Sequence, residues 1–445
     1  MSMSNNENNE IRDSFTSKTG FILACIGSAV GMGNIWLFPY RVGQFGGAAF
    51  LITYIIFIVL LGYTGLMGEF AFGRMTQTGP IGSFKKALET KNKNWGGFLG
   101  IIPVVGAFGI AVGYAVVVGW FLRFLGGFIT GSAMSAADSG AYFGELASPF
   151  GSIIWHLLAL ILVSIVLISG ISKGIETMNK IMMPAFYILF VIVMVRVFML
   201  DGAFEGIKYL VVPKWSSLME PKTWIYALGQ AFFSLSLAGS GMIVYGSYLK
   251  RDVDIMSSAK NTVIFDTLGA FLAGLVIIPA VFAFNLDPAS GPPLLFITIP
   301  SVFKLMPFGR LFGVIFFISV LFASITSLMN LLEVPIEAVQ STFKLKRKLS
   351  VFIVVGAAFI FGLFAEDGNN LGVLMDFVSI YIIPIGAFIA AVMFFWVIGI
   401  EKAKYEIECG TDKKLGKLFE ISAKYVFVFL TIFVFIAGIL LGGIG

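Results

Sequence analysis

An all-α polytopic membrane protein is the fold class this sequence predicts, on three observations. Hydrophobic residues make up 58% of the 445 positions and charged residues only 12%, with a mean hydropathy of +0.95. A soluble domain is about half apolar and carries about twice that charge, so this chain cannot cover itself with a water-soluble surface. The apolar residues fall into runs long enough to cross a bilayer, which takes about 20 residues of helix. Two of those runs are interrupted by glycine and polar residues, at Gly27–Asn34 and at Ser234–Gly241.

Taken in order, the runs predict eleven spans: 17–40, 48–73, 98–127, 152–169, 179–200, 223–248, 261–285, 308–339, 349–365, 371–399 and 420–443. The first 14 or so residues are polar and precede a long apolar run that is followed by more of the same. This is a first span with a short tail, not a cleaved targeting peptide. Residues 290–302 are proline-rich and too short to span, so they are expected to form a re-entrant or lid-like external helix. Span 11 lies outside any repeat and should pack peripherally.

Basic residues orient the set. With the N-terminus inside, the cytoplasmic segments hold most of the 30 Lys and Arg residues, among them Lys85, Lys86, Lys250, Arg251 and Lys344–Lys348. The external segment 128–151 carries Asp138 and Glu145 but no Lys or Arg. That asymmetry follows the positive-inside rule, and an odd span count puts the C-terminus outside. The whole chain, 1–445, reads as one membrane domain. The formal charge of +5 reads as membrane-flanking lysine, and nothing points to nucleic acid.

The interruptions carry the functional signal. Backbone broken at membrane depth exposes N–H and C=O groups and is tolerated only against protein, a cavity or a ligand. The breaks lie in spans 1 and 6, five spans apart, so the second copy of a five-span repeat is inverted relative to the first. Residues 17–200 and 223–399 are the two expected repeats. Two discontinuous helices meeting near the midplane make a site for a small solute and ions, and a secondary transporter is the reading that follows. No phosphate-binding loop is present, which argues against ATP-driven transport by this chain alone. No nucleophile–base or metal constellation points to an enzyme. A channel or sensor on the same fold is the rival class, separable by conductance that does not saturate.

Polar residues at depth are costly and tend to line cavities or to pair. Asn34, Ser234 and Asp266 could give oxygens to a hard cation, although Asp266 could equally serve helix packing. Ala323, Thr326 and Ser327 share a face of span 8 by their three- and four-residue spacing, yet Ser and Thr in membrane helices mostly bond back to their own backbone. Tyr114 sits mid-span among Gly106, Ala107, Gly113 and Ala115, where its hydroxyl could meet a carboxylate. Glu69 is expected to pair with backbone or with Arg74. His156, the single histidine, begins a span and is expected to be structural. Cys25 and Cys409 give neither a disulfide framework nor a metal spacing.

The segments Gly27–Trp36, Lys173–Glu176, Gly229–Leu237 and Phe322–Ser327, in this order, resemble those of the neurotransmitter:sodium symporters, in the shorter eleven-span prokaryotic branch. The resemblance runs from Gly20 to about Phe435. It implies sodium-coupled symport of a small zwitterion, most simply an amino acid, by alternating access; taurine and similar non-α-amino acids are the alternative cargo. It implies a first sodium at Ala29, Asn34, Ser234 and Asp266, and a second at Gly27, Val30, Ala323, Thr326 and Ser327. The place of a chloride-binding serine in chloride-dependent relatives is Ala270 here, so Asp266 is expected to supply the negative charge without chloride. The substrate carboxylate would meet Met32, Gly33 and Tyr114, and its amino group the freed carbonyls such as that of Ala29. The pocket would be lined by Ile110, Phe233, Ser236, Gly239 and Leu331, with Phe233 as an external lid. Gly239 stands where one branch has a large aromatic, which implies room for a longer side chain. The family's external arginine is replaced by Leu37, so it cannot pair with Asp376, the remaining gate residue. The setting implied is a prokaryotic inner membrane, with a lipid bilayer around a monomer or loose homo-oligomer.

Overall fold

The computed structural model describes residues 13–288 and 292–443; most of the polar N-terminal tail, and residues 290 and 291 of the expected external helix, lie outside the described residues. Every regular element among them is helical. Eight continuous helices are long and apolar enough to cross a bilayer, and a bent pair makes a ninth. The other two expected spans are present in shorter pieces. Span 4 is Ile153–Ile168, and span 6 is split into Pro221–Ser234 and Gly241–Ser247.

Capping explains where the boundaries move. Span 7 begins at Ile255, six residues before the apolar run at 261, because the Asp254 side chain accepts from the Ser257 N–H at 3.0 Å and caps the helix. Span 10 runs on from the apolar run into the polar helix Ile400–Glu408. Spans 3 (Gly96–Thr130) and 8 (Gly309–Phe343) are 35 residues each. At 1.5 Å per residue both exceed the hydrocarbon thickness by a wide margin, so they tilt or project, and they pack against each other.

Span 1 (Lys18–Ala29, then Gly33–Gln44) lies centrally against spans 5 (Ile171–Phe198), 7 (Ile255–Ala283) and 8. Span 2 (Ala48–Thr76) braces both halves of span 6. Spans 9 (Arg347–Phe364) and 11 (Lys417–Leu441) are peripheral, leaving side chains such as Phe352, Phe361, Phe429 and Ile436 exposed to the surrounding lipid. Between spans 7 and 8 a short helix forms at Thr298–Leu305. Just before it, Phe296 is fully buried among Trp36, Trp120, Phe121, Phe124 and Phe143, which fastens this segment over the C-terminal halves of spans 1 and 3.

Candidate functional site

Both breaks form where the sequence interrupts its apolar runs. Span 1 stops at Ala29, Val30 turns to an extended conformation (φ −72°, ψ 103°), and helix resumes at Gly33 with its axis bent by 51°. In span 6 the chain leaves the helix after Ser234 and re-enters it at Gly241, with positive φ at Ser236 (53°) and Gly239 (66°). A cavity of about 60 Å3 lies between the two breaks.

One end of that cavity is polar. The Tyr114 hydroxyl accepts from the Met32 N–H at 2.8 Å, with the Ser327 hydroxyl beside it at Gly31. Ser28 O accepts from both Ser236 Oγ (3.1 Å) and Ser327 Oγ (3.2 Å), so one carbonyl of the first break links spans 6 and 8. The remaining walls are largely apolar: Ala107, Ile110, Phe232, Phe233, Leu331 and Ile383. Phe233 stands against Gly33, where a β-carbon would come within 3.0 Å of its ring.

Asp266 is fully buried and draws the two breaks together. Asn34 Nδ2 donates to its Oδ1 at 2.8 Å, and Ser234 Oγ donates to its Oδ2 at 2.8 Å. Ionised, a buried carboxylate holding only two neutral donors would be an uncompensated charge in a low-dielectric site, and a cation beside it would stabilise that form strongly. Ala29 is buried and lines the cavity. Ala323 and Thr326 are fully buried on the side of span 8 that packs against span 1, with Thr326 Oγ1 donating back to Ala323 O at 2.9 Å. Gly27, also buried, faces Thr326 near the end of the first helical half, while the side chain of Val30 packs against Gly269 of span 7.

Gly239, Glu69 and His156 each take a definite place in the structure. Gly239 does not line the cavity; Ala238, Ser240 and Gly241 do. A β-carbon on Gly239 would lie 2.5 Å from Gly386 O, so the position is a close backbone crossing with span 10 and offers no room for a cargo side chain. Glu69 pairs with backbone, the first of its two expected partners, and not with Arg74. It reaches the second break, where its Oε1 accepts from the Gly239 N–H at 2.9 Å, while Arg74 binds Glu406 Oε1 at 2.7 Å and Val253 O at 2.6 Å. His156 is fully buried, with Nδ1 3.2 Å from Glu366 Oε1.

Leu37 is followed one turn later by Arg41, whose guanidinium lies 4.3 Å over the Tyr226 ring and 5.2 Å from that of Tyr40. Asp376 is exposed and lies within electrostatic range of Arg41. An arginine therefore stands one turn beyond the position to which the three-residue spacing after Asn34 pointed. Gln230 and Tyr54 also belong to the site: Gln230 Nε2 donates to Gly33 O at 2.9 Å and Tyr54 OH to Ser234 Oγ at 3.2 Å. Both are polar groups within apolar spans, which was the available signal.

Comparison with known proteins places the fold in a family. The Sodium:neurotransmitter symporter family profile matches residues 12–134 and 143–441. An uncharacterized sodium-dependent transporter of Bacillus subtilis is 36% identical over 432 residues, covering 94% of each chain. One of Methanocaldococcus jannaschii is 32% identical over 434 residues, covering 91% of this chain and 86% of its own. The solved structure of MhsT in complex with L-phenylalanine superposes with a TM-score of 0.87 at 34% identity, covering 96% of this chain and all of that one.

Proposed function

The chain belongs to the sodium:neurotransmitter symporter family, and from that premise we propose that its cargo is an α-amino acid with an apolar side chain. It is a polytopic membrane protein that couples a small-molecule substrate to sodium. The observation that carries the finer reading is the cavity between the two breaks, polar at Met32, Gly33 and Tyr114 and apolar at Ile110, Phe233, Leu331 and Ile383. A zwitterionic head fits the first end, because backbone N–H groups and a phenol can bind a carboxylate while freed carbonyls take the ammonium. The apolar end fits a hydrocarbon or aromatic side chain, and MhsT, similar over nearly its whole length, holds L-phenylalanine.

In this reading two sodium ions bind beside the cargo. The first uses Ala29, Asn34, Ser234 and Asp266, and the second Gly27, Val30, Ala323, Thr326 and Ser327. Asp266 supplies the fixed negative charge, so chloride is not required. With cargo and ions in place Phe233 closes the external side. The repeats 17–200 and 223–399 then rock, and release follows to the cytoplasm of a prokaryotic cell, across its inner membrane. The N-terminus is cytoplasmic and the C-terminus, after span 11, external.

Thermal stabilisation of the purified protein tests this reading, with the twenty amino acids, taurine and betaine in sodium, potassium and choline salts. The expected result is a shift for leucine, phenylalanine or a similar apolar amino acid, in sodium only. A sodium-dependent shift for taurine or betaine, with none for any apolar amino acid, would overturn the cargo class.

A further inference from the structure

Two glycines on span 1 are notched to admit oxygens from span 5. Gly20 and Gly27 are seven residues apart, which puts them on nearly the same helix face. The place a β-carbon would take on Gly20 is filled by the Glu176 carboxylate, and on Gly27 by Asn179 Oδ1. The Glu176 carboxylate is well partnered, accepting from Thr16 N (2.7 Å), Thr16 Oγ1 (2.8 Å) and Ser17 Oγ (2.8 Å) and pairing with Lys180 Nζ at 2.6 Å. The Asn179 oxygen is not: the residue is fully buried and Oδ1 has no hydrogen-bond partner. Its orientation is fixed, because Nδ2 donates to Ile175 O at 2.8 Å, and an exchange of the two amide atoms would set oxygen against oxygen.

A buried, unpartnered carboxamide oxygen is costly, and its surroundings identify what it could serve. The same spot is bounded by Thr326, whose Cβ lies 2.9 Å from the β-carbon position of Gly27. Spans 1, 5 and 8 thus meet there, beside Gly27 and Thr326 of the proposed second sodium site. Side chains on a helix tilt toward its N-terminus while carbonyls point toward its C-terminus. The Gly27 notch therefore lies on the cytoplasmic flank of the site, and the Gly27 carbonyl on the other.

We propose that Asn179 Oδ1 is the first oxygen to receive the second sodium as it leaves toward the cytoplasm along the seam between spans 1 and 5. The inference rests on the two-sodium reading above. A neutral amide oxygen suits a relay, because it replaces part of the ion's hydration without holding it as a carboxylate would. Glu176, one turn nearer the cytoplasm on span 5, is the next oxygen on the seam.

The test uses the full chain, reconstituted for sodium-driven uptake of whichever of L-leucine and L-phenylalanine the wild type accumulates, and in detergent for sodium titration of thermal stability. Asn179→Leu keeps the volume and removes the oxygen. It is expected to slow uptake about tenfold, the effect of losing one ligand to an ion in a low-dielectric path, while half-saturating sodium changes less than about twofold. Asn179→Asp is expected to lower half-saturating sodium about tenfold and to slow uptake, because the ion is held where it should pass. Wild-type uptake in Asn179→Leu with wild-type titration in Asn179→Asp would overturn the proposal, leaving the oxygen satisfied by the weak Cα–H of Gly27. A loss of sodium affinity in Asn179→Leu that matches the loss of uptake would also overturn it, making the residue a resident ligand. Thr326→Ala separates the two readings. If it abolishes the sodium response while the Asn179 variants behave as wild type, only the relay fails; if it leaves the response intact, the second site itself is misassigned.

Discussion

Around Asp266 a carboxylate lies within hydrogen-bonding distance of Asn34 and Ser234, whereas around Thr326 the expected ligands are carbonyls and hydroxyls only. Both groups are buried beside the same break in span 1. The difference is one formal charge, and in a low-dielectric interior that outweighs any difference in the number of neutral oxygens. The two proposed cation sites should therefore differ in how they fail. The first has a fixed countercharge that must be neutralised for the protein to close. The second holds its ion through geometry alone, so a small movement of span 1 against span 8 is enough to weaken it.

The largest effect should come from removing that charge. Asp266→Ala leaves two cations and a zwitterion with no fixed anion, and sodium-driven uptake in proteoliposomes should fall by about 100-fold or more. Measured in chloride and again in gluconate, the variant should recover in chloride if a mobile anion can enter the vacated space. Uptake near the wild-type rate in gluconate would show that the carboxylate is not the countercharge, and the contrast between the two sites would collapse.

How much of this could be read from the sequence depends on whether the signal was local. The two breaks were legible because glycine, serine and asparagine stand inside runs that a plain span would fill with leucine and valine. Asp266 was legible as a carboxylate in an apolar helix. Glu69 was legible as a partner of backbone, but which backbone group it holds was not, because that depends on how span 6 packs on span 2. Gly239 was misjudged because the resemblance carries a position and not its packing, and this residue lies in unwound chain with φ 66°, close against Gly386 of span 10. Arg41 was passed over because the expected spacing pointed at Leu37, one turn away. Asn179 stood within the polar fringe that begins span 5, and only the packed structure shows that its oxygen fills the notch at Gly27.

An intermediate effect is expected where the second break is held. Glu69→Ala removes the acceptor of the Gly239 N–H, leaving a backbone donor unsatisfied at membrane depth, at a cost of about 1–3 kcal/mol. Glu69→Gln keeps an oxygen in the same place and should retain most of that stability. Thermal unfolding of the two variants side by side checks this. Equal losses would mean that the carboxylate's charge matters and not its hydrogen bond, which would put a second charged group beside the breaks and blur the distinction between the two cation sites.

The smallest effect should be at Ser236, on the polar rim that the second break lends to the cavity. Its hydroxyl donates to Ser28 O at 3.1 Å, but that carbonyl also accepts from Ser327 Oγ at 3.2 Å. Ser236→Ala therefore deletes one of two donors to a shared acceptor, and no buried group is left without a partner. The loss should be that of a single neutral hydrogen bond, about 0.5–1.5 kcal/mol, which a binding titration with the transported amino acid would register as less than about tenfold in affinity. The sodium dependence of binding should persist, since Ser327 still ties spans 1 and 8. If affinity falls much further while sodium dependence stays intact, Ser236 touches the cargo itself, and the polar end of the cavity extends from the first break onto the second. If sodium dependence falls instead, the Ser28 carbonyl couples cargo and ion, and the two neutral hydroxyls on it act as a single unit.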